Sequence, residues 1–443
     1  MNPWIAKNVF YLPIERLRGE PITRYMREIA EFEHLSSEEM SALQWDRLKA
    51  LLDHAYKNNS FYRQQFDRVG IIPEDIKSPA DFERVPFLTK KLLRENFASM
   101  MSKSVGKVSL RKTSGSTGTP LKLAKDRTAT AYMEAYMYHV YGWYGIEIGT
   151  RQGRVWGMPF GFSGRSMTRV KDVLLNRRRL VSFELSRDAC RRYYHHLKKF
   201  KPYFLYGLIA PISEFARELA GCGIDPKELG LKVIIATGER LHPGKKEHAE
   251  RAFGCRVVNE YGCTESGIIA FECPSGNLHV ANHNLLVEIV NPETGVAVAA
   301  GESGEVVLTE LFATGMPLIR YRIGDLACKS NERCTCGRQS PIIGSVIGRT
   351  SELIPTPDGR KVAAALLDYA IPSSVSRFRA ILTEVDRLEL LLECPQPLTE
   401  DERDSIKNKM SQYLGKQMRI ELRIVGSIPS DPSGKLRCFE SRI

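Results

Sequence analysis

The sequence predicts an α/β protein with two parts. Residues 1–348 form a large region of mostly parallel sheets flanked by helices plus a β-rich segment, and residues 349–443 form a small α+β C-terminal domain. Three observations predict this. From residue 105 onward short β-branched runs alternate with helical patterns, and strand–helix–strand repetition builds parallel sheets whose ligand site lies at the strands' carboxyl ends. After about residue 278 the texture changes: "LHVANHNLLVEIVNPETG" and "GESGEVVLTEL" read as antiparallel strands with turn glycines. Behind a loop near 348–360 the chain closes with two strands, a capped helix and a third strand.

Each element has its own warrant. Residues 14–70 read as helical. "SSEEMSALQWDRLKALLDHAYKNN" opens with a serine cap and a glutamate at capping-box spacing, and Met40, Leu43, Leu48, Leu51, Leu52 and Ala55 recur at helical intervals. "LKVIIATGE" (231–239) is a buried strand, 243–253 a helix, and "CRVVNEYGCTES" (255–266) a strand that ends in a loop. "RFRAILTEVDRLELLLE" supplies two strands, "LTEDERDSIKNKMSQYLG" a helix between Thr399 and Gly415, and "MRIELRIVG" a third strand. There are no internal repeats and no low-complexity tract.

Composition narrows the function. Hydrophobic content of 43% and charged content of 26% are ordinary for a globular chain. The net charge of +12 is dispersed, with one dense cluster at Arg177–Arg179. Without basic runs interleaved with aromatics, and without zinc-finger or helix-turn-helix patterns, nucleic acid is not the expected partner. No apolar run approaches the roughly 18 residues that span a bilayer. The first twenty residues lack a signal peptide's apolar core, so a cytoplasmic location is expected. Ten cysteines in such a chain point to free thiols or metal.

Four stretches carry chemistry. "RKTSGSTGTPLKL" (111–123) places Thr113, Ser114, Gly115, Ser116, Thr117, Gly118 and Thr119 in one loop. Its glycines let backbone amides point into one concavity, and its hydroxyls add donors, as a polyphosphate requires. It is not a P-loop, because Pro120 stops a helix from starting there, and a polar hairpin turn is the plainer alternative. "YGCTE" (261–265) sets an aromatic, a hydroxyl and a carboxylate just past an apolar strand, where a nucleotide could stack and share a magnesium ion. "PLIRYRIGD" (317–325) is an apolar strand ending in an aspartate on a turn, suited to ribose hydroxyls. "SDPSGKLRCF" (430–439) carries Lys435 after a Ser-Gly turn.

In this order the four stretches resemble the adenylate-forming superfamily of acyl-CoA synthetases, luciferases and peptide-synthetase adenylation domains. Within it the likeness is to the phenylacetate–CoA ligase family, especially its capsule-biosynthesis-type members, and it extends to "LLDHAYKNNSFYRQQF" and "VPFLTKKLLREN". The resemblance implies that Thr113–Thr119 grips the β- and γ-phosphates of ATP. Gly238 and Glu239 of "ATGE" would lie beside adenine, Tyr261 would stack on it next to Gly262, Thr264 would touch the α-phosphate and Glu265 would bind Mg²⁺. Asp325, assisted by Arg349 of "GRTSE", would hold the ribose. Lys435, on a mobile C-terminal domain, would stabilise charge as the acid attacks the α-phosphate. Phe160, Tyr206 and Gly207, in "WGMPFGFSGRSM" and "FLYGLIAP", suggest a moderate pocket for an aromatic or cyclic acid.

"CPSGNLH" and "CTCG" add Cys273, His279, Cys334 and Cys336, a complete tetrahedral zinc set or four unrelated residues, with His283 as a rival ligand. The same segments resemble a structural zinc site of some family members. Two positions depart from the family. Ser351 stands where many relatives carry a hinge aspartate or lysine, and "LIPTPDGRKV" lacks the glycine-rich loop along the pantetheine path. The expected activity is ATP-dependent formation of an acyl-adenylate with release of pyrophosphate, then transfer to CoA. An amine, a sugar hydroxyl or a carrier thiol is the alternative acceptor, and a homodimer is allowed. A silent nucleotide-binding protein would need neither Glu265 nor Lys435.

Overall fold

The computed structural model describes residues 1–19, 22–103, 106–112, 121–158, 162–372, 374–394, 396–429 and 438–443. The N-terminal helices form as the sequence predicts. Helix Ser37–Asn58 starts in a capping box in which Glu39 N–H donates to Ser36 Oγ (3.2 Å) and Ser36 N–H to Glu39 Oε2 (2.8 Å). It buries Met40, Leu48, Leu51, Leu52 and Ala55, side chains each worth about 1.5–3 kcal/mol when fully buried.

Strands β1 (Val108–Lys112) and β2 (Lys122–Asp126) form an antiparallel hairpin with Lys112 opposite Lys122. The connecting residues 113–120 lie outside the described residues. The main sheet has eleven strands. Five are parallel: β3 (Gln152–Trp156), β4 (Arg177–Val181), β5 (Phe204–Gly207), β6 (Val233–Thr237) and β7 (Arg256–Cys263), in the order β4-β3-β5-β6-β7. Helices Phe162–Leu174, Arg187–Phe200, Ile209–Gly221 and Pro243–Phe253 connect them. The chain leaves β3 toward β4 on one side and returns to β5 on the other, so β3 is the topological switch point, where crevices open at strand ends.

The β-rich segment continues the same sheet. β8 (Gly267–Glu272), β9 (Leu278–Val280), β10 (Leu285–Val290), β11 (Ser303–Glu310), β12 (Tyr321–Lys329) and β13 (Ile342–Arg349) pair antiparallel in the order β8-β9-β13-β12-β11-β10. Two expectations change here. Tyr261–Cys263 does not lie in a loop past β7 but inside it, because β7 runs on to a tight reversal into β8. Asp325 does not end a strand on a turn; it lies within β12, opposite Arg349. The expected strand begins later than "PLIRYRIGD", since Arg320 has φ +47°, outside strand geometry.

Apolar side chains fill both faces of the parallel block. One core joins helix Arg127–Gly142, through Tyr132 and Tyr141, to Phe204, Ile235 and Val258. The other packs Ile212, Phe215 and Ala249 on Val155, Leu205 and Ile234. The last residues have a third core. There β14 (Leu353–Pro355) and β15 (Lys361–Ala363) form a hairpin. β16 (Arg377–Glu384), β17 (Arg387–Glu393), β18 (Arg419–Val425) and β19 (Phe439–Ser441) form a sheet ordered β18-β17-β16-β19. Thr399 caps helix Glu400–Leu414 and Gly415 follows it. β14, β15 and β19 are additions to the predicted strands, β14 falling in the expected loop: three residues each are too few to set a pattern. This unit meets the rest where Arg240 pairs with Asp368 (3.6 Å) and donates to the Tyr369 hydroxyl (3.2 Å). Among the described residues no helix is long and apolar enough to cross a membrane.

Candidate active site

A cleft of about 960 Å³ opens at the carboxyl ends of the parallel strands and extends to β12 and β13. Gly238, Gly262, Thr264, Glu265, Asp325, Arg349 and Tyr206 all line it. Buried Tyr261 enters it indirectly, donating its hydroxyl to Asp325 Oδ2 at 3.1 Å. Arg349 Nε lies 3.5 Å from Asp325 Oδ1, across the β12–β13 pair. Burial pushes the Asp325 carboxyl above its ordinary range, while Arg349 and the Tyr261 hydrogen bond pull it back. Gly324, at φ +80°, bends the strand beside it; a Cβ there would lie 3.5 Å from Lys90 Nζ.

Glu265 is buried, and its Oε1 accepts from the Tyr321 hydroxyl at 3.1 Å. Among the described residues no hydrogen bond engages its other oxygen. Thr264 is exposed to the cleft. Gly262 is a tight fit, since a Cβ would meet Gly267 O at 2.5 Å. Gly238 (φ +77°) lies against Trp156, whose ring edge would be 3.2 Å from a Cβ. Glu239 turns elsewhere: its carboxylate accepts from Ala210 N–H (2.5 Å), in the first turn of helix Ile209–Gly221.

Of the expected acid-pocket residues, Tyr206 lines the cleft and donates to Glu260 Oε1 at 3.2 Å. Gly207 is not in the lining; it packs against β3, where a Cβ would strike Val155 O at 2.1 Å. Phe160, the loop Thr113–Thr119 and Lys435 lie outside the described residues. Arg111 and Leu121, which flank that loop, both line the cleft.

Several residues in the lining carried no motif: Lys90, Arg154, Arg177 and Glu260. Glu260 is buried and also accepts from the Tyr141 hydroxyl at 2.5 Å; burial raises its carboxyl above the usual range. The available signal was a charge inside an apolar strand, in "RVVNEY" and "QGRVW".

A second cluster lies on β8, β9 and the segment before β13. Ligand atoms of Cys273, His279, Cys334 and Cys336 all fall within 4.8 Å of one another. Cys273 and Cys334 sulfurs are 3.6 Å apart, and Cys336 Sγ is 3.3 Å from His279 Nε2. His279 Nδ1 faces Ser340 Oγ at 2.9 Å, which leaves Nε2 turned to the thiols. Burial works against ionising Cys334, but hydrogen bonds from Asn277 and the Cys336 N–H bring its thiol down to about 6. His283 is outside this set: it is buried against the Tyr136 and Tyr132 rings.

Comparison with known proteins agrees with this geometry. Residues 111–312 match the AMP-binding enzyme family, and residues 354–441 match the CapK C-terminal domain. A phenylacetate–coenzyme A ligase of Thermus thermophilus is 27% identical over 460 residues, covering 92% of this chain and 97% of the relative. One of Aromatoleum evansii is 30% identical over 320 residues, 68% of each chain. Among solved structures, 2-hydroxyisobutyryl-CoA ligase in the postadenylation state with R3-HIB-AMP aligns with a TM-score of 0.78 at 22% identity, over 92% of this chain and 90% of that one. A chain with these relatives belongs to the phenylacetate–coenzyme A ligase family of adenylate-forming enzymes.

Proposed function

We propose that the protein joins a carboxylic acid to coenzyme A in two steps through an acyl-adenylate. The observation that carries this reading is the convergence of Tyr261, Asp325 and Arg349 with Glu265 on one cleft that also reaches Tyr206. In the first step a carboxylate oxygen of the acid attacks the α-phosphorus of ATP and pyrophosphate leaves. In the second the CoA thiol loses its proton, its sulfur attacks the acyl carbon, and AMP leaves.

Asp325 accepts the ribose hydroxyls, with Arg349 and the Tyr261 hydroxyl holding its carboxylate in place. The Gly238 backbone lies beside adenine, Tyr261 serves through its hydroxyl on Asp325 and not by stacking, and Thr264 donates to the α-phosphate. The loop Thr113–Thr119 holds the outer phosphates. Lys435 meets the charge that builds between carboxylate and α-phosphate. The partly unengaged Glu265 carboxylate suits a hard cation, and Mg²⁺ held there would neutralise phosphate charge. Residues 1–348 and 349–443 act as two units whose relative rotation separates the steps, with Ser351 in the connection.

The thiol–imidazole cluster fits zinc. Tetrahedral bonds of about 2.3 Å to sulfur would put two thiolates roughly 3.7 Å apart, against the 3.6 Å between Cys273 and Cys334. Its role is to tie β8 and β9 to the segment before β13, away from the chemistry. Protein purified without chelators should hold one zinc per chain, and Cys334→Ser should lower both zinc content and melting temperature. Absence of zinc in metal analysis removes this reading.

The activity itself is tested by acid-dependent exchange of labelled pyrophosphate into ATP. Exchange with at least one carboxylic acid, followed by thioester formation when CoA is added, supports the assignment. No exchange across a broad acid panel overturns it.

A further inference from the structure

One arm of the cleft carries positive charge that no ion pair among the described residues neutralises. It begins beside Gly238 at Trp156 and follows β3, the switch strand. Gln152, Arg154 and Trp156 face the cleft, while Val155 between them packs into the core on the opposite face. In the parallel β3–β4 register Arg154 stands opposite Arg179, and Gln152 opposite Arg177. Like charges set side by side on adjacent strands cost stability unless something counters them.

Arg179 has its counter-ion, Asp172, which accepts two hydrogen bonds at 2.8 and 3.0 Å. Arg154 has none. Its guanidinium lies 4.6 Å from the Tyr206 ring centroid and 5.3 Å from that of Trp156. Among the described residues neither it, nor Arg177, nor Lys171 makes an ion pair. The carboxylates of this arm are engaged by other groups: Glu260 by the Tyr141, Tyr206 and Thr237 hydroxyls, Glu134, which lies near Lys171, by the Tyr11 hydroxyl at 2.9 Å, and Glu147 by Lys7 at 3.6 Å. Buried Gln152 has an unpartnered side-chain oxygen, and its amide can present its NH₂ instead. Arg154 and Arg177 are half-buried on the cleft wall, and half-buried cations without an ion pair among the described residues mark a place where an anion can arrive.

We propose that Arg154 and Arg177 bind a second anionic group on the tail of the acid, so that the substrates are aromatic or cyclic dicarboxylic acids. The ring of such an acid rests against Trp156 and Tyr206, its near carboxylate turned to the nucleotide and its far one to the arginines. This rests on the acid-activating reading above and extends it to a substrate class. Desolvation, with the neighbouring Arg177 and Arg179 charges, lowers the pKa of Arg154. The same arginines could instead take a phosphate of the acyl acceptor, and the test separates the two.

Pyrophosphate exchange is measured on the full chain without acceptor, using benzoate against terephthalate and cyclohexanecarboxylate against cyclohexane-1,4-dicarboxylate. The diacid should be preferred by about tenfold or more in kcat/KM, the scale of one hydrogen-bonded charge pair. Arg154→Met and Arg177→Gln should each lower the diacid-to-monoacid ratio by a similar factor. A wild-type preference for the monoacid, or a ratio that the variants leave unchanged, overturns the proposal. So does a variant that keeps the diacid ratio in exchange but shows a raised KM for CoA in a separate thioester-forming assay, which assigns the anion to the acceptor. If no acid drives exchange, the enzymatic reading fails first, and melting decides the site. A terephthalate-induced rise seen in wild type and lost in Arg154→Met keeps the anion site; no rise in wild type removes it.

Discussion

At the β12–β13 end of the cleft Asp325 lies between the Tyr261 hydroxyl and the Arg349 guanidinium, so its charge is matched before any ligand arrives. At the β3–β4 end Arg154 lies over two aromatic rings with Arg179 as its cross-strand neighbour, and its charge is unmatched. Under the proposed function the first end is preorganised for a ligand that never changes, the nucleoside of ATP. The second leaves the final charge to the substrate. On the proposed function the difference says where specificity resides: matched charges would hold the common reactant, and the unmatched ones would choose the acid.

The largest effect should come from the nucleotide end. Lys435→Ala should slow adenylation by roughly a hundredfold or more, the scale of losing one preorganised charge donor. Transfer to CoA from a synthetic acyl-adenylate should be far less affected, because the lysine's charge serves the phosphorus centre alone. Rapid-quench measurement of the two half-reactions checks this. A parallel fall in both would mean that the C-terminal unit does not alternate or that Lys435 serves folding.

Asp325→Asn comes next. It keeps the side chain's shape while removing the charge that Arg349 faces. ATP affinity should fall by about 1.5–3 kcal/mol, the usual worth of a hydrogen bond to a charged group, while the KM of the acid stays within about threefold. Calorimetric ATP titration reads this directly. If the variant weakens acid binding as much as ATP binding, the two ends of the cleft are not separate, and the contrast between them is lost.

The nucleotide end was legible in the sequence for the same reason that it is preorganised. Its residues sit in short contiguous runs, "YGCTE", "YRIGD" and "GRTSE", so the resemblance to the adenylate-forming superfamily can be read from them. Their exact setting was not legible. Asp325 falls inside β12 because its partner Arg349 comes from β13, a cross-strand pairing invisible in one segment. The helices and most strands followed from caps and periodicity, as with Ser36 and Thr399. At the acid end Tyr206 was expected, but Arg154, Arg177 and Glu260 were not, because they come from three other strands and share its face. Each reads singly as an ordinary charge. The dense run Arg177–Arg179 was visible, but its meaning depends on which strand it lies beside. The thiol cluster lies between the two cases: two short motifs give the ligands, and only the fold brings them within 4.8 Å.

The smallest expected effect tests the contrast from the acid end. Glu260 is the buried carboxylate nearest in character to a counter-ion for Arg154, and the comparison holds only if it does not serve as one. Burial raises its carboxyl above the ordinary value of 4.5; hydrogen bonds from Tyr141, Thr237 and Tyr206, and the charge of Arg154, only partly oppose this. The folded protein therefore keeps a proton there at pH values where the unfolded chain has lost it. With more protons bound in the folded state, stability must fall as pH rises from 4.5 through the raised value. Glu260→Gln cannot ionise and escapes that loss. Its stability relative to wild type should therefore rise across this window, by about 1.4 kcal/mol for each unit by which the carboxyl is raised, and then level off. Denaturant melts of both proteins from mildly acidic to mildly alkaline pH read the difference. A gap that instead moves in favour of wild type as pH rises would mean that ionised Glu260 is stabilised by Arg154. The arginine would then already have its anion, and the acid end would be as fully matched as the nucleotide end.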